Sequence, residues 1–150
     1  MKQFIHPRSK QAEKNRADEA KQKRVIATRQ THRTTQRRDI LELLQAFRQN
    51  LSETNIYTTQ QMKQFTVLYL AGQLGKSGFS NTEKVTHEIR LKQKIQEVAI
   101  GTFRVPDITS EENVLDLKLW DGRFESSQSI KLKHVEIPNI QAVLIGKESV

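Results

Sequence analysis

At 150 residues, with 35% hydrophobic and 28% charged side chains, the chain has the length of one domain and little apolar material for a large core, which excludes a multidomain enzyme. It contains no cysteine, so disulfide scaffolds, thiolate metal centres and cysteine nucleophiles are excluded as well. The net charge of +8 is unevenly placed: residues 1–38 carry twelve Lys or Arg against three acids, and the remainder carries thirteen against fourteen. Such an asymmetry reads as an arm for a polyanion on a near-neutral body.

The expected fold class is mainly α: a long basic N-terminal helix or arm over residues 1–38 runs into a small helical bundle over residues 39–150, which ends in an extended C-terminal strap. The arm has no glycine and only Pro7, and Ala, Lys, Arg, Gln and Glu permit a helix from Ser9 onward, with Ser9 as its N-cap. It has almost no apolar residues with which to bury a face, so its order is expected mainly on a bound partner. From Asp39 the character changes, because Ile40, Leu43, Leu44, Phe47 and Leu51 follow the spacing of one helical stripe.

A second helix is predicted from the Thr58-x-x-Gln61 capping pattern, burying Met62, Phe65, Leu68 or Tyr69, and Leu70, and ending in the glycines at 72, 75 and 78. Ser80-x-x-Glu83 opens a third, with Val85, His87 or Ile89, Ile95 and Val98 on its inner face and Gly101 at its end. Phe103 to Asp107 reads as extended around Pro106, and Thr109-x-x-Glu112 then caps a short helix running to Trp120 and stopped by Asp121 and Gly122. The segment from Ile130 to Ile145 alternates loosely, as one or two short strands or a strap would.

Catalytic motifs are missing. Gly75-Lys76-Ser77 ends like a phosphate-binding loop, but the glycine required at position 70 is Leu70 and no buried strand precedes it, so a flexible turn is expected, with a backbone nest for an RNA phosphate as the minor alternative. His87-Glu88 begins like a zinc-protease helix, yet Leu91 stands where the second histidine belongs; His32 and His134 have no ligand set around them. The expectation is therefore no enzyme, no metal, no cofactor and no small-molecule substrate. No apolar run approaches the roughly 18 residues of a membrane helix, and the first 30 residues lack the core of a signal peptide. Phe103, Trp120 and Phe124 read as core aromatics, with base stacking as the alternative.

Two stretches, Ile5-His6-Pro7-Arg8-Ser9-Lys10-Gln11-Ala12 with the basic helix behind it, and Phe103-Arg104-Val105-Pro106-Asp107-Ile108 followed by Asn113, Leu117, Trp120 and Asp121, share an order and spacing. Together with Tyr57 and Leu70 they make residues 5–125 resemble the translation machinery-associated protein 16 family, from which the chain departs in its glycine-rich turn at 72–78. The resemblance implies a non-catalytic ribosome biogenesis factor of the eukaryotic nucleus, in nucleolus and nucleoplasm and with ribosomal particles in the cytoplasm. Its implied partners are large-subunit rRNA, ribosomal proteins and other assembly factors of pre-60S particles. The RNA-binding candidates are His6, Arg8, Lys10, Lys14, Arg16, Lys21, Lys23, Arg24, Arg29, Arg33, Arg37 and Arg38. Pro7, Pro106, Asp107, Trp120 and Asp121 are family-motif positions with a structural or partner-binding role. A DNA-binding or chromatin-associated protein using the same arm is the alternative; a peripheral membrane protein fits less well, because the arm has no apolar face to insert.

Overall fold

The computed structural model describes residues 9–150, apart from the side chain of Thr31. By its contacts the chain divides into residues 1–39 and residues 40–150. The helix α1, Lys10–Asn50, contributes to both units.

In the first unit, the Ser9 hydroxyl accepts the Ala12 amide at 3.1 Å, and the Ser9 carbonyl accepts the Glu13 amide at 3.1 Å, so the helix starts where the sequence places its cap. Every residue from 13 to 30 is exposed. The arm is helical over its described residues, as the long N-terminal helix was expected to be. The physical reason lies in the second unit: residues 40–50 are held as helix by packing, so the costly nucleus already exists and the N-terminal residues need only propagate it. Their composition favours propagation.

In the second unit the last turns of α1 bury Leu43, Leu44 and Phe47. Phe47 meets Phe65 edge-on at 5.7 Å, and Phe65 in turn packs on Tyr57 at 5.5 Å. Two of the three caps expected at Thr58, Ser80 and Thr109 form as capping boxes. In α2, Thr59–Leu74, the Thr58 hydroxyl accepts from the Gln61 amide while Gln61 accepts the Thr58 amide; in α3, Asn81–Ile100, Ser80 and Glu83 do the same. Gly101 closes α3 in the left-handed region at φ +82°, where a Cβ would come within 3.2 Å of Glu136.

The buried faces differ in part from the expected ones. Met62, Tyr69 and Leu70 are buried on α2 and Phe65 packs half-buried beside them, as expected; Thr66, which was not expected, is buried too, its hydroxyl satisfied by the Met62 carbonyl at 2.9 Å. Leu68 is exposed. On α3 the inward stripe is Leu91 and Val98 with His87 and Ile95 half-buried; Val85 and Ile89 face outward, because at about 100° per residue they fall on the opposite side of the helix from that stripe.

Strand β1, Phe103–Pro106, pairs antiparallel with β2, Leu132–Val135, with Phe103 opposite Val135 and Pro106 opposite Leu132. Between them in sequence lie α4, Glu111–Leu119, and the single turn α5, Phe124–Ser127. The cap of α4 is Ser110 and not Thr109, whose amide and hydroxyl are taken by the Asp107 carboxylate in a local turn. Asn113, buried on α4, clips the two strands together: its Nδ2 donates to the carbonyls of Asp107 at 2.8 Å and Lys131 at 2.9 Å, and its Oδ1 accepts the Lys131 amide at 2.8 Å. The C-terminal segment is extended through β2 and then turns helical in α6, Ile140–Leu144, where the sequence alternation suggested more strand. Its Ile140 is fully buried.

Candidate nucleic-acid interface

Ten candidate cations fall on described residues of α1: Lys10, Lys14, Arg16, Lys21, Lys23, Arg24, Arg29, Arg33, Arg37 and Arg38, all exposed. His6, Pro7 and Arg8 lie outside the described residues. At about 100° per residue, Lys10, Lys14 and Lys21 share one side of the helix, Arg29, Arg33 and Arg37 stack along the next, and Arg16, Lys23, Arg24 and Arg38 occupy the remainder; no gap between cations exceeds about 60°. The surface is therefore cationic all round. Among the arm's described residues Val25 and Ile26 are the only large apolar ones, and both are solvent-exposed.

The Gly-Lys-Ser turn is tied down. The Lys76 amine forms an ion pair with Glu42 of α1 at 2.9 Å, and Gln73 donates to the same carboxylate at 3.2 Å. Across the turn, Phe79 stacks on His87 at 4.6 Å, and His87 Nε2 donates to the Gln73 carbonyl at 2.9 Å. A helix precedes the turn and its lysine has a carboxylate partner, so it is a pinned connection and not the flexible loop expected. Among the described residues no group of three or more His, Asp or Glu is placed to hold a metal ion, and no helix is long and apolar enough to cross a membrane.

The family-motif positions hold the body together. Pro106 is fully buried, and the Asp107 amide bonds the Lys131 carbonyl at 3.0 Å. Trp120 is 6% exposed, which places it in the core and not on a base-stacking surface. Its indole donates to the Arg123 carbonyl at 2.9 Å, while the Arg48 guanidinium lies 5.2 Å from the ring centre and donates to the Trp120 carbonyl at 2.6 Å. Sequence reading missed Arg48, because its partner is 72 positions away and no local pattern marks it. Asp121 accepts from the Ser126 hydroxyl and from the Arg123 amide at 2.9 Å; these bonds, the Ser126 one foremost, hold its carboxyl below the ordinary value.

A cationic helix continuous with a small, largely helical body, braced by a clipped two-stranded sheet, defines a helical protein whose charge and whose core are carried by different residues. The chain belongs to the translation machinery-associated protein 16 family, whose model matches residues 1–137. Comparison with curated proteins finds no match.

Proposed function

We propose that the chain is a non-catalytic assembly factor of the translation machinery, acting on precursors of the large ribosomal subunit. Exposed cations on every side of α1 are the observation that carries this reading. A peripheral surface contact needs charge on one side only, whereas a helix lodged between phosphate backbones needs it all round. The folded rRNA of a pre-60S particle supplies such crevices, and recognition is by shape, since side chains do not read the deep groove of A-form RNA. Arginine's planar fork suits bidentate phosphate contact. The near-neutral body contacts ribosomal proteins and other assembly factors, and the particle's assembly site places the protein in the nucleus. Family membership supports the translation-machinery part of this reading.

Replacing Lys21, Lys23, Arg24 and Arg29 with Ala tests it. In filter binding to a large-subunit rRNA fragment across a salt series, the slope of log K against log salt should fall by roughly 0.7–0.9 for each phosphate that the arm no longer neutralises. The melting temperature should stay put. An unchanged slope would exclude the arm as the RNA-binding element, and equal competition by duplex DNA would favour a chromatin role.

A further inference from the structure

We propose that the outer edge of β2 receives an extended, acidic segment of a partner protein as a third strand. The Asp107 amide bonds the Lys131 carbonyl, and in the observed register this makes Phe103 with Val135, and Val105 with Lys133, the hydrogen-bonded pairs. Leu132 and His134 therefore turn their amides and carbonyls away from β1. The position of Pro106 agrees, since opposite Leu132 its nitrogen faces away from β2 and no ladder bond is lost. Among the described residues nothing bonds the backbone of Leu132 or His134 on the outward side.

A cavity of about 340 Å³ lies beside this edge, lined by residues 133–136 and, from α2, by Met62 and Lys63. Side chains alternate between the faces of a strand, so a cavity touching four consecutive residues runs along the edge and not over one face. The guest must offer peptide donors and acceptors at strand spacing, which a phosphate backbone does not. Its sign follows from the lining: Lys63 and Lys133 stand against the single carboxylate of Glu136. Edge lysines also deter neutral strands, leaving an acidic one as the selected guest.

The docking goes beyond the RNA reading and is separate from it. The probe is a labelled eight-residue peptide of alternating Val and Glu, titrated by fluorescence polarisation against the full chain, at salt that keeps the Debye length below about 8 Å. Saturable binding should protect the Leu132 and His134 amides from hydrogen exchange. His134→Pro removes one outward amide and should weaken binding roughly tenfold, whereas His134→Ala keeps the amide and should stay within about twofold. Should the proline variant fail to fold, Lys133→Glu provides the second reading, by shifting preference toward a Val and Lys peptide. The proposal is overturned by equal effects of the two His134 variants, by protection confined to the arm, or by a single-stranded RNA that protects the two edge amides and that the peptide fails to displace. The arm variant with Lys21, Lys23, Arg24 and Arg29 replaced should leave peptide binding unchanged, so this proposal and the RNA reading fail independently.

Discussion

Residues 10–39 and residues 40–150 meet opposite physical demands. The first stretch is exposed over most of its length, carries ten Lys or Arg against four acids and draws its helicity from propensity and from the helix it continues. The second is close to neutral and holds together by burial, from Phe47 and Trp120 to Ile140, and among the described residues each buried polar side-chain atom has a partner. The difference teaches that charge and stability can be altered separately here. A change in the arm should be read in binding, and a change in the body in melting.

The largest effect is expected from Trp120→Ala, which empties a buried site shared with Arg48 and should cost about 3–5 kcal/mol, a large share of a small domain's stability. If that variant melts like the parent and loses RNA affinity instead, the division between the two stretches is wrong. Gln36→Pro tests the other side. A proline in the helix interior costs about 3 kcal/mol locally and should separate the arm from its nucleus, lowering helical circular dichroism while the body's melting transition stays in place. Retained helicity would mean that the arm nucleates on its own.

Asn113→Ala removes the clip and leaves the Lys131 amide and the Asp107 carbonyl without their partner, while the Lys131 carbonyl keeps the Asp107 amide, so denaturant unfolding should show a loss of about 2 kcal/mol. The smallest effect is at Asp121. Its carboxyl is held below the ordinary 3.8, so its contribution is present above about pH 4 and is lost as the pH falls through the lowered value. The melting difference between the parent and Asp121→Asn should therefore close between about pH 5 and the acid limit, the window where carboxylates titrate. A difference that persists in acid would show that the carboxylate's charge is irrelevant there.

What the sequence made legible was what depends on near neighbours. Ser9, Thr58 and Ser80 act within three residues of themselves, and the charge of the arm is a property of composition. Thr109 failed the same logic because Asp107, two residues earlier, competed for its amide and hydroxyl. Val85 and Ile89 are four apart and share a face with each other, but that face is opposite the His87, Leu91, Ile95 and Val98 stripe, and only the packing shows which of the two is inward. Residues 140–144 form too short an apolar run to separate helix from strand. The ten described cations were legible as a group, while Arg48 over Trp120, and the edge of β2 beside α2, are meetings of distant segments that no window of sequence contains.

The Asn113 clip also has a bearing on time. Its three bonds need α4, the end of β1 and the start of β2 together, segments joined by a loop that must close first. Bonds that need three segments at once are expected to form late, after the main barrier is crossed. Losing them should leave refolding nearly as fast as before and quicken unfolding, so the side chain works as a latch on the folded body, setting how long it persists more than how readily it is reached.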